Sequence, residues 1–346
     1  MKHISQIDKN FQVKTKIDKK DIRFINACET PLQINGVFYE NGKFRRLPEE
    51  VAKTVNEGVH ALHANTAGGR VRFKTNATYV AIHAKMSNIG KMPHFTLCGS
   101  AGFDLYVGDI YKGSFLPPFF TEDGYEGVIE LGEKKWREIT INFPLYSNVD
   151  DLYIGINEDA ENSAPTPYED KLPIVYYGSS ITQGGCASRP GNAYQSVLSR
   201  ALNADYINLG FSGSARAEES ISAYIKGLPM SVFVYDYDHN APTLEHLSST
   251  HERMFKGFRK AQPNTPIILL SRPTYYPNEE EKTRLEVIKN TYKNAVANGD
   301  KNVYFIDGKT LMKEAKGEGT VDGSHPNDLG FYSMAKALLK VLKNIY

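Results

Sequence analysis

The sequence predicts a two-domain chain with an all-β N-terminal half, a jelly roll or β-sandwich, and an α/β C-terminal half. Three observations support this prediction: the length, a change of hydrophobic period near residue 168, and a polar segment at that point. A chain of 346 residues exceeds what one hydrophobic core usually holds. Residues 157–167 (NEDAENSAPTP) have the composition of a linker. We therefore expect domains at residues 1–167 and 168–346.

The N-terminal half has the period of β-strands. Ile139, Ile141 and Phe143 alternate with polar neighbours, and Val71 and Phe73 alternate with Arg72 and Lys74. Short runs of this kind, separated by turn residues, are typical of a jelly roll or β-sandwich. One helix-like stretch, residues 48–57, interrupts the pattern.

The C-terminal half alternates between apolar runs and helical patterns, which predicts a parallel sheet covered by helices on both faces. This is a three-layer α/β arrangement. The strand candidates are residues 173–177, 205–209, 231–235, 266–271 and 303–306. The helix candidates lie around residues 192–203, 217–227, 244–261, 280–298 and 328–344.

Charge and hydropathy exclude several classes of partner. Lys and Arg number 41 and Asp and Glu number 40, so neither nucleic acid nor an anionic membrane is expected as the main partner. No apolar run approaches the roughly 18 residues of a membrane helix. Residues 1–8 carry no apolar segment of the secretory type, so we expect a cytoplasmic location.

The cysteines predict free thiols. Cys28, Cys98 and Cys186 are odd in number, widely spaced and outside any CxxC pattern. Such spacing fits a reducing compartment better than a disulfide framework or a structural zinc site.

Two segments at opposite ends of the C-terminal half could form a nucleophilic site. The first, Gly178-Ser179-Ser180, directly follows a strand candidate, and the second carries Asp322 and His325 three residues apart. A serine hydroxyl attacks a carbonyl when a histidine accepts its proton and a carboxylate orients that histidine. The residues leave open which of the two serines attacks.

Two further turns could supply hydrogen-bond donors to a developing oxyanion. Gly213 follows the second strand candidate, where a backbone N–H could approach a substrate without an intervening side chain. Asn240 follows the third and could donate its side-chain amide. Taken alone, the Gly213 segment is better interpreted as an ordinary strand-to-helix turn, and Asn240 also fits the role of a helix cap or turn residue.

Taken together and in this order, these segments resemble the four sequence blocks of the SGNH (GDSL-type) hydrolases. The resemblance covers residues 168–346 and implies a flavodoxin-like catalytic domain without a cofactor or metal. It implies that Ser180 is the nucleophile, with His325 as base and Asp322 as its partner. It also implies an oxyanion hole formed by the N–H groups of Ser180 and Gly213 and the side chain of Asn240.

Two positions depart from the family pattern, and a second motif extends the resemblance. Ser179 stands where the family usually has Asp, and Asp238 stands where it usually has Gly. Residues 102–106 (GFDLY) are similar to the G-x-D-L-Y signature of a β-domain that precedes one SGNH subgroup. The layout is similar to that of two-domain carbohydrate acetylesterases.

Two clusters of possible metal ligands are weaker candidates. Asp236, Asp238 and His239 sit on one predicted strand end, where neighbouring residues point to opposite faces. His60 and His63 lie in a stretch interpreted as strand-like, and their spacing would also separate them. We therefore expect no metal.

The resemblance implies an esterase that removes acetyl groups from plant-derived oligosaccharides of the mannan or xylan type through an acyl-enzyme on Ser180. Two alternatives remain open. One is a thioesterase or lysophospholipase, although the sequence has no strongly apolar lid segment. The other is a noncatalytic carbohydrate-binding protein, although Ser180, Asp322 and His325 are all present. The oligomeric state is not predicted.

Overall fold

A computed structural model describes residues 13–169 and 172–346; the expectation about residues 1–8 lies outside these ranges. The N-terminal part is built mainly of antiparallel strands. They are β1 (Ile22–Asn26), β2 (Gln33–Asn35), β3 (Phe38–Glu40), β4 (Lys43–Arg45), β5 (Arg70–Thr75), β6 (Tyr79–Ser87), β7 (Phe103–Val107), β8 (Ile110–Phe115), β9 (Gly124–Glu130), β10 (Arg137–Asn142), β11 (Asn148–Asn157) and β12 (Asn162–Ser163).

Two of the antiparallel sheets enclose a common core, which confirms the predicted sandwich. One sheet has the order β1-β11-β6-β9 and the other β12-β5-β10-β7-β8, with β2 beside β5. Ile82 and Ile154 from the first sheet pack in one buried cluster with Val71 and Ile141 from the second. The alternation read from the sequence thus places one face of each strand in the core.

The helix-like stretch at residues 48–57 contains the short helix α1 (Glu49–Val55), and a second short helix, α2 (Glu57–Leu62), follows it. Asn56 separates them, because its side chain accepts a hydrogen bond from the N–H of Val59 and starts the second helix. The strand-like interpretation of His60 and His63 is therefore wrong. Their rings stack with centroids 5.5 Å apart at the end of α2. A third short helix, α3, spans Leu97–Ala101.

The C-terminal part contains the predicted parallel sheet. Its strands are β13 (Ile174–Gly178), β14 (Tyr206–Gly210), β15 (Val232–Asp236), β16 (Ile267–Leu270) and β17 (Val303–Ile306), in the order β14-β13-β15-β16-β17. The helices are α4 (Ser180–Gln183), α5 (Tyr194–Leu202), α6 (Glu219–Lys226), α7 (Leu244–Ala261), α8 (Glu279–Ala297), α9 (Gly308–Leu311) and α10 (Asp328–Leu342).

Both faces of this sheet are buried. Tyr176 and Val234 pack in a cluster with helix α10 on one face. Their neighbours Val175 and Tyr235 pack in a second cluster with α7 on the other. Strands buried on both faces are mostly apolar, which is why the sequence identified each of them.

Buried polar side chains join the two parts of the chain. Asp104 of β7 accepts hydrogen bonds from Arg189 Nη1 at 2.9 Å and from the N–H of Gly191 at 2.8 Å. Arg46 donates to the carbonyl oxygens of Asn208 and Gly210 on β14, at 3.1 and 2.6 Å. The G-x-D-L-Y segment therefore contacts the C-terminal part. The division at residue 168 stays a prediction.

Within residues 13–169 and 172–346, every helix is too short or too polar to cross a lipid bilayer.

Candidate active site

The carboxyl ends of three adjacent parallel strands meet at one sheet edge. Gly178 at the end of β13 pairs with Gly210 of β14 on one side and with Asp236 of β15 on the other. The segments after these residues therefore emerge side by side, at the edge where ligands bind in open α/β sheets. Gly178 has no space for a side chain, because a Cβ would lie 2.0 Å from the Asp236 carbonyl oxygen.

Ser180, His325 and Asp322 form a continuous chain of hydrogen bonds. Ser180 Oγ lies 3.0 Å from His325 Nε2, and His325 Nδ1 lies 2.7 Å from Asp322 Oδ2. The carboxylate fixes the ring so that Nε2 can accept the serine proton. Ser180 and His325 are 145 positions apart in the chain, and helix α10 begins just after the histidine.

The two serines have different roles in the turn. Ser179 caps helix α4, where its side chain accepts a hydrogen bond from the N–H of Ile181 at 3.2 Å, and its surface is fully buried. Ser180 is the first residue of that helix, and its hydroxyl contacts His325. Of the two hydroxyls, only that of Ser180 contacts the His325 ring.

The loop that carries His325 is organised by Asp322 itself. Asp322 Oδ1 accepts from the N–H groups of Ser324 and His325 at 3.0 and 2.8 Å. Partial burial acts to raise the pKa of Asp322, but these N–H groups and the His325 ring outweigh it and lower that pKa to about 2. The carboxylate is therefore ionised at neutral pH, as a partner of an imidazolium must be.

Two candidate donors lie in the turns that follow the neighbouring strands β14 and β15. Gly213 adopts a left-handed backbone with φ of +68°, and a Cβ there would meet nothing within 4 Å. Among the described residues its N–H has no hydrogen-bond partner. Asn240 Oδ1 accepts from the N–H of Ala215 at 3.3 Å, which leaves its amide hydrogens to donate. The N–H of Ser180 is at a helix start, where backbone donors lack helical partners.

Asp236 and Asp238, which precede Asn240, both form buried hydrogen bonds that hold this loop in place. Asp238 is 2% exposed, and Oδ1 accepts from Arg284 Nε at 2.9 Å while Oδ2 accepts from the N–H of Arg272 at 3.1 Å. Asp236 Oδ2 accepts from Thr182 Oγ1 at 3.1 Å. The charge of Asp238, at the position where the family usually has Gly, is thus neutralised by a buried arginine.

His239 connects the Asn240 turn to the His325 loop. Its Nε2 lies 3.0 Å from Ser324 Oγ, while its Nδ1 is buried without a partner among the described residues. Burial first, and then the charges of Arg272 and His325, lower the pKa of His239 well below the usual value of a histidine. The three candidate ligands Asp236, Asp238 and His239 thus have separate partners.

Sequence reasoning missed three residues at this site. The exposed ring of His94, from the N-terminal part, lies 5.6 Å from the His325 ring, centroid to centroid. Cys186 is buried nearby and holds a left-handed backbone with φ of +74°. Tyr146 Oη donates to the Ser180 carbonyl oxygen at 3.2 Å. For Cys186 the short separation from Ser180 was a signal; for His94 and Tyr146 the sequence carried none.

Two family models match the chain. Residues 171–343 match the GDSL-like lipase/acylhydrolase family, and residues 22–161 match the GxDLY family, described as the N-terminus of SGNH-hydrolase-type esterases. No curated protein matches the chain.

Several solved structures share this fold over nearly their whole length. A Bacteroides ovatus protein named as a GDSL-like lipase is 30% identical, with a TM-score of 0.82, over 94% of this chain and 98% of its own. A salicylyl-acyltransferase of a tetracycline biosynthetic pathway is 18% identical, with a TM-score of 0.77 and the same coverage. A family two carbohydrate esterase from Cellvibrio japonicus is 13% identical, with a TM-score of 0.62 and again the same coverage.

Proposed function

The chain belongs to the GDSL-like lipase/acylhydrolase family and is an ester hydrolase, and on that premise we propose that it removes acetyl groups from carbohydrates through Ser180. The observation that carries the assignment of the nucleophile is the hydrogen-bond chain from Ser180 through His325 to Asp322. The substrates we propose are plant-derived oligosaccharides of the mannan or xylan type.

The proposed reaction has two halves. His325 Nε2 accepts the proton of Ser180 as Oγ bonds to the ester carbonyl carbon, and Asp322 stabilises the resulting imidazolium. The oxyanion accepts hydrogen bonds from the N–H groups of Ser180 and Gly213 and from the Asn240 amide. The bond between the acetyl carbon and the sugar oxygen then breaks, and His325 returns its proton to that oxygen, which leaves as a hydroxyl group. Water, deprotonated by the same histidine, releases acetate from Ser180.

The proposal of a small acyl group is supported by the packing beside the serine. A Cβ at Gly185 would lie 2.9 Å from Tyr146 Oη and 3.5 Å from His325 Cδ2, so the tyrosine hydroxyl and the histidine ring already occupy this side. Cys186 is buried next to it. This close packing supports the proposal that the acyl group is short.

The proposal of a sugar as the alcohol is supported by architecture. The Cellvibrio japonicus structure, with the same two-part fold, is named as a carbohydrate esterase. In this chain the N-terminal part reaches the site through His94, whose exposed polar ring lies beside His325. An exposed imidazole beside His325 can donate or accept a hydrogen bond to a sugar hydroxyl.

Acetate release from a substrate panel tests the proposal. The panel contains acetylated mannan and xylan oligosaccharides and nitrophenyl esters of short and long acyl chains. We expect acetate release from the oligosaccharides, and Ser180→Ala should lower it by about 10⁴-fold or more. Ser179→Ala is the matched control; it loses only a helix cap, which costs about 1 kcal/mol of stability.

Three outcomes would contradict the proposal. Hydrolysis restricted to long-chain esters or thioesters would indicate the lipase or thioesterase alternative. Sugar binding without acetate release would indicate a noncatalytic carbohydrate-binding protein. Equal rates for Ser180→Ala and the unmodified chain would exclude Ser180 as the nucleophile.

A further inference from the structure

Three side chains with metal-binding atoms converge at the catalytic histidine. They are His94, Cys186 and His325, and one ring nitrogen from each histidine and the cysteine sulfur all lie within 4.8 Å of one another. His94 comes from the N-terminal part, while Cys186 follows helix α4 by a few residues. Neither residue has a place in the proposed acyl transfer.

This cluster has the chemistry of a zinc site. Two imidazoles and one thiolate form a ligand set that selects Zn²⁺ over Mg²⁺ or Ca²⁺. Tetrahedral zinc holds its ligand atoms roughly 3.5 Å apart. The three ligand atoms here lie within 4.8 Å of one another, so they must move closer together by about 1 Å to bind the metal. His94 is exposed and can supply that shift by rotating its side chain. Cys186 is buried, so its sulfur is already held beside the base.

Asp322 orients the His325 ring in the way that a carboxylate orients a metal-binding histidine. Histidines that bind metals commonly donate their second ring N–H to a carboxylate, which fixes the ring. Asp322 already holds Nδ1 of His325 at 2.7 Å, so Nε2 is the nitrogen free to bind a metal. That nitrogen is also the one that contacts Ser180 Oγ.

We propose that His94, Cys186 and His325 form an inhibitory site for Zn²⁺, in which the metal competes with Ser180 for His325. This inference rests on the proposed function of His325 as the base. Zinc binding displaces the thiol proton of Cys186 to solvent and engages the Nε2 lone pair of His325. The serine proton then has no acceptor, and acylation stops until the metal leaves.

Inhibition by zinc in a buffered series tests the competition. We expect about 10 μM free Zn²⁺ to lower the rate of nitrophenyl acetate hydrolysis roughly tenfold, as a Kd of about 1 μM requires. A chelator should restore the rate, and Mg²⁺ should have no effect. His94→Ala and Cys186→Ser should each need at least about tenfold more zinc for the same inhibition, relative to their own metal-free rates. Cys28→Ser, which changes an exposed thiol outside the cluster, is the matched control.

Metal binding without activity separates this proposal from the proposed function. Ser180→Ala keeps all three ligands, and calorimetric titration should show one Zn²⁺ per chain. Loading it with Co²⁺ should give a cobalt–thiolate absorption band that a Ser180→Ala, Cys186→Ser double variant lacks. Absence of this band, or equal zinc inhibition of Cys186→Ser and the unmodified chain, would overturn the site. Both results can be obtained even if the chain does not act on sugars.

Discussion

At the scale of single residues, the turn after β13 separates two chemically identical side chains. Ser179 and Ser180 are adjacent, yet one hydroxyl caps a helix in the interior and the other contacts His325. The two hydroxyls differ because Ser179 is the N-cap of helix α4, and a capping side chain points its oxygen toward the backbone N–H groups of the first helical turn. The usual acidic residue of the family at the capping position can be replaced by serine because both side chains supply an acceptor oxygen.

Asn240 provides a test of the oxyanion donors at the same scale. Asn240→Ala should lower kcat by about 10²–10³-fold and leave KM nearly unchanged, because in the proposed mechanism its amide stabilises charge that develops only in the transition state. Steady-state kinetics on nitrophenyl acetate measure both parameters. Asn298→Ala, at the exposed end of α8, is the control and should change neither. A raised KM with unchanged kcat would mean that Asn240 binds the substrate instead.

At the scale of elements, the register of the parallel sheet brings the site together. Gly178, Gly210 and Asp236 are direct partners across three strands, so the turns that follow start at the same level. The helices behind the sheet hold this register by burying one face each. In α7, that buried face includes His251, whose ring stacks on Tyr235 with centroids 4.7 Å apart.

His251 should make the stability of this layer depend on pH. Complete burial lowers the pKa of His251 to about 3, whereas in the unfolded chain it is about 6.5. Between these values the unfolded state binds the proton and the folded state does not, so the free energy of unfolding falls as the pH falls. At pH 5 the loss from this residue is about 2 kcal/mol.

Urea unfolding at pH 8 and pH 5 measures this dependence. We expect His251→Phe to be less stable at pH 8, because Thr291 loses its hydrogen bond with Nδ1. Between pH 8 and pH 5 the variant should lose about 2 kcal/mol less than the unmodified chain. An identical loss in both proteins would show that His251 takes up no proton on unfolding.

At the scale of the whole molecule, the N-terminal part is joined to the strands that carry the site. Arg46 donates to two carbonyl oxygens of β14, and Asp104 binds the segment that precedes α5. The motif that marks the N-terminal family thus has a structural role in this chain. Its aspartate accepts from Asn142 of its own sheet at 2.7 Å and from Arg189 across the interface at 2.9 Å.

Asp104→Ala should therefore destabilise both parts. The change leaves Arg189 without its buried partner, and removing one partner of such a pair costs about 3–5 kcal/mol. Urea denaturation followed by circular dichroism measures the loss. Asp159→Ala is the matched control, since its ion pair with Lys134 is exposed and worth less than about 1 kcal/mol. Equal effects of the two substitutions would argue against a structural role of the interface.

The sequence by itself determined the features that depend on local pattern. The five parallel strands could be located from the sequence because each is largely buried and therefore mostly apolar. The pair of Asp322 and His325 was readable because three residues of separation allow a hydrogen bond within one loop. The strand-like interpretation of the segment around His60 was wrong, because its helix is started by the capping side chain of Asn56 and not by a hydrophobic repeat.

Only the tertiary structure decided what depends on contacts between distant segments. It placed the hydroxyl of Ser180, and not that of Ser179, against His325, and it gave Asp238 a buried arginine as partner. It also brought the His94 ring, from the N-terminal part, to 5.6 Å from the His325 ring, centroid to centroid. Packing between the two parts sets that distance, and no spacing along the chain encodes it.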